Sequence, residues 1–161
     1  MTVADAQAPN FGQLLGPYIG RVPPDTVPRF LALLERGAAD RYRYWAGELP
    51  AHADVLLSCA ASEDEIADRV EAVFPLAAEL RAAVHAPLDD ARSAYVEVFA
   101  GLDVWDQLRI QADAERQGAQ AWRNIAGRAS DERVVDTLAA CSALEEASAD
   151  RVDALVREHG G

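Results

Sequence analysis

The sequence predicts an all-α fold, a four-helix bundle built from two copies of one helical hairpin, and three observations carry that prediction. Leu56, Cys59, Glu63, Asp68, Arg69 and Val70 recur in the same order as Leu138, Cys141, Glu145, Asp150, Arg151 and Val152, displaced by 82 residues. Glu35, Arg36, Ala39 and Arg43 recur as Glu115, Arg116, Ala119 and Arg123, displaced by 80, with Tyr42 and Trp122 as matching aromatics. Two segments repeating at nearly one offset mark a duplicated supersecondary unit. The composition agrees, because half of the residues are hydrophobic and only 7% aromatic, which suits packed helices better than sheets.

Residues 1–24 contain Pro9, Gly12, Gly16, Pro17, Gly20, Pro23 and Pro24, a density of helix breakers that predicts an irregular N-terminal arm. Its side chains Phe11, Leu14, Leu15, Tyr18 and Ile19 would make a costly exposed patch, so the arm is expected to pack on the bundle or on a second subunit, which leaves a homodimer open. The bundle takes residues 25–161. Its first helix is expected over 26–46, with Asp25 as cap, Pro28 tolerated in the first turn, and Gly47 and Pro50 as the stop. The second runs from 51 to Phe74, where Pro75 breaks it. A crossover over about 75–102 holds one or two short helices around Pro87, with Tyr95, Val96 and Phe99 on one side. A helix of about 24 residues is about 36 Å long, and a link of this size returns the chain to the starting end, giving up-down-down-up order. The third helix spans 103–126 and stops at Gly127; Ser130 caps the fourth, 131–158, before the tail of Gly160 and Gly161.

In each long helix the apolar residues fall three and four apart, as on a buried face. A glutamate interrupts every one of these stripes. Glu35 lies among Leu31, Ala38, Tyr42 and Trp45, and Glu63 among Leu56, Cys59, Ile66 and Val70. Glu115 lies among Leu108, Gln111, Ala119 and Trp122, and Glu145 follows Leu138 and Cys141 ahead of Val152 and Leu155. Each helix thus aims one carboxylate inward. A helix turned about its axis would instead present Glu65 with Asp68, or Glu146; the repeat favours Glu63 with Glu145, since Glu65 aligns with Ala147.

The net charge of −12 argues against nucleic acid and anionic membranes as partners, because both need basic patches. All fifteen basic side chains are arginine. The first residues show no basic region followed by an apolar core, and no apolar run reaches membrane-spanning length, so a cytoplasmic location is expected. Cys59 and Cys141 read as small core residues of a reduced compartment. The three histidines, His52, His85 and His159, fall near helix ends or in the crossover and read as surface residues. Asp68 with Arg69, and Asp150 with Arg151, read as solvated helix faces.

One inward glutamate per helix, two hairpins, one long crossover and a twofold repeat together resemble the ferritin-like superfamily of di-iron and di-manganese carboxylate proteins, over about residues 26–158. The resemblance implies a metal site made by Glu35, Glu63, Glu115 and Glu145, filled by iron or manganese, with Tyr42 as the aromatic that follows the first glutamate. It implies an oxidoreductase that activates oxygen or peroxide beside Tyr42. The family places histidine three residues after the glutamates of its second and fourth helices, and this chain has Ile66 and Ser148 there.

Four ionised carboxylates in one buried layer need a neutralising partner, since burying even one such charge costs several kcal/mol. Three partners stay open from the sequence. Hard divalent cations suit an all-oxygen ligand set; shared protons would do the same work by raising the carboxyl pKa values; pairing with Tyr42 and arginine would leave a metal-free layer. In the last two cases the duplicated bundle would serve as a binding or scaffold protein without a cofactor.

Overall fold

The computed structural model describes residues 7–160, so the first six residues of the expected arm and Gly161 of the expected tail lie outside it. The described chain is all-helical, without a strand. Its helices are α1 (Phe11–Ile19), α2 (Val27–Glu48), α3 (Ala53–Val73), α4 (Arg81–His85), α5 (Leu88–Phe99), α6 (Val104–Ala126) and α7 (Glu132–Gly160). α2 and α3 form one tight hairpin and α6 and α7 the other; α4 and α5 lie in the link between them.

The arm is not irregular. Despite its breakers, it forms α1, opened by Asn10, whose side chain accepts from the Gln13 N–H at 3.0 Å. Pro17 stands near the end of this helix on an exposed face, where its missing N–H removes a single intrahelical bond. Tertiary burial outweighs that loss. Phe11 and Leu15 are buried, each contributing about 1.5–3 kcal/mol by burial, and Phe11 stacks on Tyr95 with ring centres 4.8 Å apart. Gln117 of α6 holds the start of the helix from both sides, accepting from Phe11 N–H at 2.8 Å and donating to the Pro9 carbonyl at 2.9 Å.

Several helix ends differ from expectation. Asp25 lies within a 3-10 turn, Pro24–Thr26, and makes no side-chain cap; Thr26 donates its hydroxyl to the Pro23 carbonyl at 2.6 Å instead. α2 continues through Gly47 to Glu48. At α7 the side chain that accepts is Asp131, from Arg133 N–H at 2.8 Å, one residue after the expected Ser130. Asp103 caps α6 by accepting from Trp105 and Asp106 N–H groups at 2.9 and 3.0 Å. In α5, Phe99 is buried and Tyr95 half-buried, whereas Val96 is 58% exposed and leaves the expected side.

The duplication is legible in the contacts. Arg36 of α2 pairs with Asp68 of α3 at 2.7 Å and with Glu71 at 3.1 Å; the equivalent Arg116 of α6 pairs with Asp150 of α7 at 3.4 Å and with Asp153 at 2.5 Å. Arg43 pairs with Asp64, and its counterpart Arg123 with Glu146. These pairs are half-exposed and contribute about 0–1 kcal/mol each, so they register the hairpins more than they hold them. The apolar core carries the stability.

The two hairpins meet through α3 on α7, which run antiparallel: Arg151 reaches Ser58 and Ser62, while the Cys141 thiol lies 4.0 Å from the Ile66 carbonyl. α2 and α6 also run antiparallel, with Trp45 donating to Gln107 at 2.8 Å and Trp122 to Glu35 at 3.3 Å, but they stand further apart. Of the three apolar clusters among the described residues, one joins α1, α4 and α5 to the start of α2, and the other two lie along the four long helices. Of these two, Trp45, Leu56, Leu108 and Leu155 belong to one, and Ile66, Val70, Trp122 and Leu138 to the other. On each of the four long helices the inward glutamate falls between residues of these two clusters, so the carboxylates form a polar layer inside the core.

Candidate metal centre

The structure brings Glu35, Glu63 and Glu145 together, with one carboxylate oxygen of each lying within 4.8 Å of the others. Glu63, Glu115 and Glu145 are buried. Glu35 keeps partial exposure, and with Glu115 and Glu145 it lines a cavity between α2 and α6. Glu115 stands beside the trio with its Oε1 engaged by two donors, the Tyr42 hydroxyl at 2.5 Å and the Gln111 amide at 2.8 Å. The alternative register is excluded: Glu65 pairs with Arg69, Asp68 with Arg36 and Glu146 with Arg123, all on exposed faces.

The donors cross between the hairpins in twofold fashion. Tyr42 on α2 donates to Glu115 on α6, and its counterpart Trp122 on α6 donates back to Glu35 on α2 at 3.3 Å. The same indole N–H lies 3.2 Å from Glu145 Oε1, so it bridges two carboxylates. Glu63 receives nothing. Both of its oxygens are buried without a hydrogen-bond partner, a condition that costs more than a lost hydrogen bond when the group is charged.

No arginine hydrogen-bonds any of the four glutamates among the described residues, which removes the arginine pairing left open by the sequence. Arg151 also departs from expectation. It turns from the solvated face into the α3–α7 interface and donates to the hydroxyls of Ser58, Ser62 and Ser148 at 3.1–3.2 Å. Ile66 and Ser148, three residues after Glu63 and Glu145, are both fully buried. His52 and His159 flank Trp105 at the bundle end, with ring centres 5.6 and 3.9 Å away, so they pack more than plain surface residues do; His85 is exposed.

Burial pushes the Glu63 carboxyl well above the ordinary carboxylate range, and the charges of Glu115 and Glu35 add to it. Glu145 is raised in the same way by burial and by Glu35. Glu35 is raised by burial, against hydrogen bonding that includes the Trp122 N–H. Three carboxylates buried this close together cannot all stay ionised without a counter-charge, so without a cation the trio holds protons. Burial also keeps the Tyr42 phenol protonated, as its role as donor to Glu115 requires. Cys59 and Cys141 are free, buried thiols in different core clusters, and burial raises Cys141 to about 12.

The residues present fit a hard divalent cation. Three carboxylates converge, their donor atoms are all oxygen, and Glu63 offers two oxygens with no competing donor. Gly118 makes room for the set: a Cβ there would meet Glu145 Oε1 at 2.7 Å. Neither Gly118 nor the bridging N–H of Trp122 was assigned to the site from the sequence. The only signals were that Gly118 aligns with Ala38, a small inward residue, and Trp122 with Tyr42.

No protein-family model, curated protein or solved structure matches this chain. No helix among the described residues is long and apolar enough to cross a membrane.

Proposed function

We propose that the chain is a ferritin-like four-helix bundle of up-down-down-up order that binds manganese or iron in its glutamate layer and acts as an oxidoreductase on oxygen or peroxide. The observation that carries this reading is Glu63, a fully buried carboxylate with two unpartnered oxygens whose ligand atom lies within 4.8 Å of those of Glu35 and Glu145. Glu35, Glu63 and Glu145 would hold the metal, with Glu115 completing the ring. Such a metal, when bound, supplies one-electron redox chemistry that no side chain of the layer can supply itself.

The chain's own residues have distinct tasks. Trp122 fixes Glu35 and Glu145 relative to one another, and Gln111 fixes Glu115. Tyr42 holds a proton at Oη against Glu115 Oε1, a position from which it can be given up next to the layer. Apolar clusters flank the layer on both sides along the helices and strengthen the electrostatic interactions between them, while the cavity between α2 and α6 leaves Glu35 within reach of a small molecule. Elemental analysis of the purified protein, with melting curves in chelator, manganese and iron, tests the metal. The expected result is bound metal and a metal-dependent rise in melting temperature that disappears in Glu63→Gln/Glu145→Gln, together with peroxide or oxygen consumption that follows metal content. Absence of metal and of any shift, with a stabilised double mutant, would put the metal-free binding or scaffold protein in its place.

A further inference from the structure

We infer that the cavity between α2 and α6 is a binding site for a small anionic amphiphile, its anionic head on Arg41 and its apolar body lying along the groove. This goes beyond the metal reading and does not need it: Glu35, Glu115 and Glu145 form part of the cavity wall, but the contacts below are made by other residues. The cavity has a volume of about 420 Å³, within the range of small-molecule sites. It exists because α2 and α6 stand apart while α3 and α7 close on each other.

The wall is ordered along its length. On α2 it runs from Leu31 through Leu34 and Ala38 to Arg41, a rise of roughly 15 Å at 1.5 Å per residue. The roof is α1, which lays Leu15 and Ile19 over the gap and is latched to α6 through Gln117. An elongated, mostly apolar slot of this size accepts a medium-length alkyl chain or an equivalent slim apolar body. It is too small for a folded partner, and α1 already covers it from outside.

Arg41 sets the charge of the occupant. Arg41 pairs with no carboxylate among the described residues, and its Nε is buried without an acceptor at the cavity wall. Its guanidinium instead lies over the Tyr95 ring, 4.2 Å from the centroid, with Phe99 at 5.5 Å. Stacking uses the flat faces of the guanidinium and leaves its edge N–H groups free for a planar oxoanion. A carboxylate head fits that edge. Since Arg41 lies six residues beyond Glu35 on α2, the head stays about 9 Å along the helix from Glu35 and the apolar body passes over the carboxylate layer.

The test is calorimetric titration of the full chain with octanoate and with octanol, in chelator throughout, so that the result is independent of metal binding. Octanoate is expected to bind saturably and at least tenfold more tightly than octanol. Arg41→Gln should erase that preference, weakening octanoate at least tenfold and leaving octanol within about twofold. Ala121→Phe, which fills the groove without altering charge, should abolish both. No saturable octanoate binding to the wild type, or equal affinity for the two ligands, overturns the inference, and this comparison stands on the wild type alone if a variant fails to fold. Octanoate binding unchanged in Arg41→Gln would overturn the assignment of the head group.

Discussion

Glu63→Gln is the most informative single change. In chelator, a buried Glu63 that keeps its proton does so against an ordinary carboxyl pKa of 4.5 in the unfolded chain. At pH 7.5 that is three pH units of protonation work, or about 4 kcal/mol as an upper bound at about 1.4 kcal/mol per unit. The sign follows from the direction of the shift. A carboxyl raised in the folded state contributes stability that is fully present below its unfolded pKa and is lost as pH rises through the folded one. Glutamine needs no proton, keeps the size, and can donate to a neighbouring carboxylate, so the variant should gain up to about 4 kcal/mol at pH 7.5. The gain should shrink steadily towards pH 4.5, the unfolded value. For a chain of this size that maximum corresponds to roughly 8–16 °C in melting temperature. With manganese far above its Kd the order should reverse. The wild type gains about 2.7 kcal/mol at a hundred times its Kd, which narrows the gap, and about 4.1 kcal/mol at a thousand times, above which it overtakes the variant; Glu63→Gln gains little. Chemical denaturation and melting across pH 5–8, with chelator and with manganese, measure both arms. A variant less stable than wild type in chelator at pH 7.5 would refute the claim that Glu63 is buried without a partner.

Wild type in chelator should itself lose stability from pH 5 to pH 8, because Glu35, Glu63 and Glu145 are all raised; a flat or rising profile in urea denaturation contradicts this. Tyr42→Phe removes one of two donors to buried Glu115 and should cost about 1–3 kcal/mol in the same assay. Gly118→Ala should leave the fold intact, since the atom in the way is the far end of a flexible side chain, but displace Glu145 and weaken manganese affinity by roughly tenfold, about 1.4 kcal/mol; unchanged calorimetric affinity counts against Glu145 as a ligand. Deleting residues 1–20 strips Phe11 and Leu15 from the bundle and should lower the melting temperature by several degrees, and an unchanged curve would show that the docking of α1 contributes nothing.

Periodicity and repetition are properties of the chain itself, and they were enough for the all-helical class, the long helices and the four inward glutamates. A residue's place on a helix face follows from a local repeat of 3.6, so Glu63 in the stripe of Leu56, Cys59, Ile66 and Val70 is inward whatever surrounds it. The choice between Glu63 and Glu65 was legible too, because duplication ties Glu63 to Glu145. Local signals were weaker at boundaries: Ser130 and Asp131 cap about equally well by residue type, and it is Asp131 that accepts from the Arg133 N–H. The breakers of residues 1–24 pointed to an irregular arm, and α1 forms because Phe11 and Leu15 find a surface to cover. What only the tertiary structure decided is which groups meet. That Trp122 bridges Glu35 and Glu145, that Glu63 has no donor, that Arg151 turns inward to three serines and that Arg41 faces a cavity all depend on how far apart two helices stand. Helix spacing is set by side chains distant in sequence, and no window of the chain encodes it.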